Sequence, residues 1–171
     1  MKVLNIPTRL RSDLTGARSC AAFTLRKTAR AVTNLYDAAL QPAGVRSTQF
    51  AILVAVARAQ PVSIGCLSQL LLTDRTTLTR NMGPMEREGL LSISQRSVMR
   101  QRFVTLTVKG RHSLSRSAPL WRKVQQRYLA AIGEGRWRRL QRELDRVSNV
   151  ALRMENSRLR SRPGVRQNLC S

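Results

Sequence analysis

The chain has 171 residues, with 31 Lys and Arg against 9 Asp and Glu, giving a formal charge of +22 and a pI near 11.9. That length suits one domain with appended arms rather than a multidomain enzyme, and a 42% hydrophobic content excludes wholesale disorder. Aromatics at 4% argue against the stacking platforms of single-strand binders, and the charge calls for a polyanionic partner.

In chain order, residues 1–19 are polar, basic and unpatterned, and read as a flexible N-terminal arm. From Cys20 to Leu40, apolar residues at Ala21, Leu25, Ala29, Val32, Tyr36 and Ala39 recur in steps of three and four, the stripe of an amphipathic helix. Pro42 and Gly44 break it. A second helix is expected from Ser47, its cap, to Ala59, where Gln60-Pro61 stops it. Ser63 caps a short helix, Ile64 to Leu71, and Thr73 or Asp74 caps another that runs to about Glu88 before Gly89. The period then changes to two at Leu91, Ile93 and Gln95 and again at Val104 and Leu106, which predicts a β-hairpin. Helical spacing returns at Leu114, Trp121, Val124, Tyr128 and Ala131, with Pro119 as a place to bend and Gly133 and Gly135 as punctuation. The last helix carries Trp137, Leu140, Leu144, Val147, Ala151 and Met154 at an average step of 3.5, a seam able to supercoil against another helix. An Arg-rich tail, 158–171, follows. No internal repeat is visible.

The charge is unevenly divided. Residues 60–90 are neutral, with Arg75, Arg80 and Arg87 balancing Asp74, Glu86 and Glu88, whereas 91–111 hold Arg96, Arg100, Arg102, Lys109 and Arg111 with no acid. Two short helices, a tight link and a basic hairpin make a winged helix-turn-helix. The second of those helices opens on Thr73, Asp74, Arg75, Thr76, Thr77, Leu78, Thr79 and Arg80, a poor design for packing and a good one for reading bases. An Arg bonds guanine O6 and N7 together, and a Thr offers a hydroxyl and a methyl. Leu78, Met82 and Met85 keep the opposite side apolar. The wing cations Arg96, Arg100 and Arg102 would reach the neighbouring minor groove or its phosphates. The bland alternative is a surface helix with solvated Arg and Thr, which the adjoining basic hairpin disfavours.

These residues carry a family resemblance. Over about Cys20 to Leu152 the chain resembles MarR-family transcriptional regulators, through Leu25-Arg26-Lys27-Thr28-Ala29-Arg30, Thr48-Gln49-Phe50-Ala51-Ile52-Leu53 and Asp74-Arg75-Thr76-Thr77-Leu78-Thr79-Arg80. Met85-Glu86-Arg87-Glu88-Gly89-Leu90 and Leu106-Thr107-Val108-Lys109-Gly110 complete the match. The resemblance implies a mainly α fold with a small β-hairpin wing, that is, a winged helix-turn-helix at about 47–110 in a single domain, 20–157. It also implies dimerisation helices at about 20–40 and 111–157. An obligate homodimer on a palindromic double-stranded DNA operator, often a repressor, follows from it. One departure stands out: the family's wing carries Asp-x-Arg at its tip, and here Val98-Met99-Arg100 lacks the acid, so Gln101 or the backbone must orient Arg100.

Family members release DNA when a small phenolic ligand binds or a thiol oxidises. Cys20 is the redox candidate, set against an inert half-buried cysteine; the family's peroxide-sensing position falls on Ala22 and its Tyr partner on Arg26. A helix start and nearby Arg18 are the features that would lower the Cys20 pKa. Cys66 reads as a small core residue and Cys170 as an exposed tail residue; three widely spaced thiols suit a reducing compartment. Trp121 and Tyr128 share a helix face and are ligand-pocket candidates, set against a plain core stripe. His112 is the single histidine, and no metal or other cofactor is expected. Nor is an enzyme, since there is no Gly-rich phosphate loop and no acid pair in an apolar setting. The run Phe50–Ala57 is too short to cross a bilayer and no apolar stretch follows Met1 and Lys2, so a cytoplasmic address is expected. The competing reading is a sequence-independent nucleoid or RNA-binding protein working through bulk charge.

Overall fold

A computed structural model describes residues 20–96 and 101–160, so the expected N-terminal arm, residues 161–171 of the expected C-terminal tail with Cys170, and Ser97–Arg100 lie outside the described residues; positions 158–160, expected in the tail, still belong to the last helix. In chain order the elements are α1 (Ala21–Leu40), a 3-10 turn (Gln41–Ala43), α2 (Ser47–Ala59), β1 (Val62–Ser63), α3 (Ile64–Leu70) and α4 (Arg75–Arg87). They continue with β2 (Leu91–Arg96), β3 (Gln101–Leu106), α5 (Val108–Ile132) and α6 (Glu134–Arg160). The predominantly helical class with a β wing is as expected.

Each boundary has a local cause. Gly44 adopts φ 70° to turn the chain between α1 and α2. Ser63 Oγ accepts from Cys66 N at 3.1 Å and so caps α3. Asp74, rather than Thr73, caps α4, its Oδ1 accepting from Thr77 N at 2.7 Å. At α2 the expected cap is displaced by one residue. Ser47 is already helical and Arg46 occupies the cap position; the Gln49 amide accepts from Arg46 N at 2.9 Å and Asp37 of α1 accepts from Ser47 N at 2.6 Å. A carboxylate from another helix thus does what a local hydroxyl was expected to do.

The sheet has three antiparallel strands in the order β1-β3-β2, with Val62 opposite Val104 and Leu91 opposite Leu106. Strand β1 was not anticipated: two residues are too short to show a period. It is held by the hairpin, and the Gln60 side chain adds a bond from Leu106 N at 2.8 Å. Helix α5 starts at Val108, six residues before the stripe at Leu114, because Thr107 caps it. It continues without interruption through Pro119, and Gly133 ends it at φ 88°. Gly135, expected to punctuate, lies inside α6.

One core joins these pieces. Leu53, Val56, Leu67, Met82, Met85 and Val104 are fully buried where α2, α3, α4 and β3 meet. Truncating one such Leu or Met to Ala costs about 2–5 kcal/mol, so the back of α4 is firmly docked. Ser117 is buried but satisfied, its Oγ donating to Ser113 O at 2.7 Å. The long helices are different. On α1 only the second half of the stripe packs: Phe23 and Leu25 are exposed, while Leu40 is buried. On α6, Leu140, Val147, Val150, Leu152 and Met154 are exposed along the helix.

Candidate nucleic-acid interface

Helix α3 turns into α4 through Leu71–Asp74, and Leu72 there takes φ 47°, an uncommon left-handed conformation for a branched side chain. Helix α4 then presents Leu78, Met82 and Met85 to the core. At 100° per residue the face directly opposite consists of Thr76, Arg80, Gly83 and Arg87. Thr76, Arg80 and Arg87 are exposed. The acidic capping carboxylate of Asp74 lies at the helix start, held below its ordinary pKa by its hydrogen bond to Thr77.

The candidate reading residues therefore divide. Thr76 and Arg80 face outward, together with Arg87, which is not among the expected reading residues. Arg75 is exposed on the flank toward α3, where its guanidinium lies against Gly65. Thr77 is half-buried, and Thr73 is half-buried in the turn with its N–H donating to Ser68 O at 3.0 Å. Thr79 is half-buried, and its hydroxyl donates to Arg75 O at 2.7 Å, which commits its proton to the helix backbone. The helical spacing of Gly83 and Arg87 from Thr76 was the signal that could have added them. Pro84 sits inside α4 beside them and lacks the N–H that would bond the Arg80 carbonyl.

The wing follows α4 directly. Arg102 is exposed on β3, opposite Gln95. Arg96 ends β2, but its side chain and all of Arg100 lie outside the described residues. The link between wing and helix is tight. Thr107 Oγ1 donates to Gly89 O at 2.6 Å and accepts from Gly110 N at 2.9 Å, while Thr107 N donates to Leu90 O at 3.2 Å. Gly110 is required because a Cβ there would stand 2.0 Å from the Leu90 carbonyl oxygen. Arg111 also belongs to this joint, donating to Leu106 O at 3.1 Å, so it is not one of the free wing cations. Further along, α5 carries Lys109, Arg111, Arg116, Arg122, Lys123 and Arg127 and no acid.

Two concavities flank the joint between the helical and winged parts. A cavity of about 940 Å³ lies between α1, α2, the end of α3 and α5, lined by Tyr36, Phe50, Val54, Leu71, Leu114 and Trp121, with Arg58 among its few polar groups. Trp121 stacks on Phe50 at 5.8 Å. Tyr128 does not line it; its ring meets Tyr36 edge-on at 6.3 Å. The Tyr36 hydroxyl donates to Gln125 Oε1, and burial, then the neighbouring Tyr128, raises its pKa. A smaller cleft of about 650 Å³ runs between Ala43–Val45, Glu88 and the start of α5 with Lys109, His112 and Arg116.

Cys20 is exposed at the start of α1, and Cys66 is half-buried against the core. Among the described residues, no group of three His, Cys, Asp or Glu could hold a metal ion, and no helix is long and apolar enough to cross a membrane.

Comparison with known proteins places this geometry among regulators. No protein-family model matches the chain. The M. tuberculosis transcriptional regulator MosR, in complex with DNA, is 35% identical, with a TM-score of 0.73, over 79% of this chain and 98% of that one. PcaV, a transcriptional regulator from Streptomyces coelicolor in complex with its natural ligand, shares the fold at a TM-score of 0.70 and 18% identity, over 88% of this chain and 99% of that one. Among curated proteins, the transcriptional activatory protein BadR of Rhodopseudomonas palustris is 36% identical over 78 residues, 43% of this chain; the match spans 45% of BadR, a little under half its length.

Proposed function

Because this chain belongs to the MarR family of transcriptional regulators, we propose that it is a homodimeric repressor that binds a palindromic operator in double-stranded DNA. The observation that carries this is α4 itself: capped at Asp74, docked by Leu78, Met82 and Met85, and turning Thr76, Arg80 and Arg87 outward beside the wing. In this reading Arg75 and Arg80 contact bases, Thr76 and Thr77 support them, and Arg102 with Arg96 and Arg100 holds phosphates and the minor groove. The domain is one unit from 20 to 157, with 20–40 and 111–157 forming the dimer region, and basic ends at 1–19 and 158–171 adding affinity. The uncovered apolar residues of α1 and α6 support a second copy as their partner, and the protein works in the cytoplasm.

Release from DNA by a small ligand belongs to the same proposal and is supported by the cavity beside Phe50 and Trp121. Release by oxidation of Cys20 is the other route, supported by the exposure of that thiol. Selection of bound duplexes from a random pool at physiological salt tests the central claim. A two-fold symmetric consensus, lost position by position in Arg80→Ala or Thr76→Ala, is the expected result, and occupancy should lower transcription from a promoter overlapping it. Equal binding to random and selected duplexes, falling steeply with salt, would instead identify sequence-independent charge binding, which the cations of α5 favour.

A further inference from the structure

We propose that Gly65, which touches no base in this reading, is a specificity-determining residue: the space left by its missing side chain seats the Arg75 guanidinium. The inference rests on the reading-helix assignment above and deepens it. Arg75 begins α4 at about 140° of rotation from Arg80, on the flank beside α3, so its direction is set by what α3 allows. At Gly65 an added Cβ would lie 2.7 Å from Arg75 Nη2, 3.3 Å from Cζ and 3.5 Å from Nε. The guanidinium thus occupies the space a side chain at this position would take, with Nη2 nearest. No carboxylate pairs with Arg75 among the described residues, where the ion pair is Arg146 with Glu143.

The consequence follows from distances. Non-bonded heavy atoms settle at about 3.5–4.0 Å, so a methyl at Gly65 drives Nη2 back by about 1 Å. A bidentate arginine contact tolerates about 0.5 Å of misplacement. The displaced atoms are the far end of a flexible side chain, so the backbone need not move and α3 keeps its shape. Its Ser63 cap and the bond from Ser68 Oγ to Gly65 O at 2.8 Å do not involve the missing side chain. Alanine is also a better helix former than glycine. A stabilising substitution on one helix is therefore expected to damage base discrimination by the next.

The test compares wild type, Gly65→Ala, Arg75→Ala and the double variant against a panel of single-base-pair operator variants. Gly65→Ala should melt no lower than wild type and lose discrimination about tenfold at one base pair per half-site, the one where Arg75→Ala loses it. In the Arg75→Ala background it should cause no further loss. Full discrimination by Gly65→Ala, or the same loss with Arg75 absent, overturns the inference while leaving the reader helix intact. A wild type without base preference defeats the reader helix and this inference with it.

Discussion

Replacing Gly110 with alanine tests why the chain leaves the wing with Leu106-Thr107-Val108-Lys109-Gly110. An ideal Cβ there falls 2.0 Å from the Leu90 carbonyl oxygen, 3.0 Å from its carbon and 3.5 Å from Leu106 Cδ2. The first two are backbone atoms at the exit from α4, so no side chain can swing aside. Van der Waals contact at about 3.5 Å requires α5 and the Leu90 peptide to part by more than 1 Å. That separation also strains the Thr107 N–H bond to Leu90 O, already 3.2 Å long. Overpacking costs about 1–3 kcal/mol and a lost hydrogen bond about 0.5–1.5, against a helix-propensity gain of about 1 kcal/mol. The net loss is about 0.5–3.5 kcal/mol, or roughly 1–14 °C in Tm for a chain of this size. Urea and thermal melts, at matched protein concentration because self-association moves Tm, measure it. A Gly110→Ala variant as stable as wild type would refute the claim that close approach is what demands glycine.

Asp37 and Asp74 both sit below their ordinary pKa, chiefly through hydrogen bonds to Ser47 and Thr77 respectively. A lowered folded-state pKa means stability that is present above the ordinary carboxylate range and lost as pH falls through the depressed value, so these caps should weaken below about pH 4. Asp74→Asn keeps a capping oxygen without the titration, and should flatten its share of the acid limb in a pH series of melts. Leu140→Asp with Val147→Asp should leave a folded monomer in sedimentation that no longer prefers a palindrome; a persisting dimer would place the interface elsewhere. In a Trp137→Phe background, Trp121 is the remaining tryptophan. Its emission should change when a small aromatic carboxylate that releases DNA is added, and DNA release with unchanged emission would remove the Phe50–Trp121 cavity as its site.

The helices were legible because apolar residues repeat at the helical period: Leu78, Met82 and Met85 are buried along α4, while the stripes of 20–40 and 137–154 form helices whose apolar residues stay largely uncovered. What was hidden depends on contacts far apart in sequence. Strand β1 exists because Val104 lies opposite Val62, and Ser47 is spared from capping because Asp37, ten residues earlier, reaches its N–H. The start of α5 was masked because Thr107 and Gly110 read as the end of the wing, although the same hydroxyl also caps the helix. The candidate reading residues were chosen by their adjacency, and adjacency places them at 100° intervals around α4 rather than on one side.

That rotation changes what the threonines can contribute. A run of Thr and Arg looks like a row of readers, yet the Thr79 hydroxyl donates into its own helix and Thr77 is half-buried next to the Asp74 cap. These two shape the start of the helix. The exposed face is built instead from Thr76 and Arg80, extended by Gly83 and Arg87, and glycine in that row lets another backbone approach closely. Arg87 lies near enough to Gly83, 3.6 Å from its Cβ position, to cover it when nothing is bound. The large positive charge sits elsewhere: α5 carries +6 and the wing +3 of the +22, and the rest is spread over the other helices and the chain ends, where it acts at long range and without regard to sequence. In the proposed reading, discrimination rests on the few exposed side chains of α4, with Gly65 beside Arg75 and Gly83 beside Arg87.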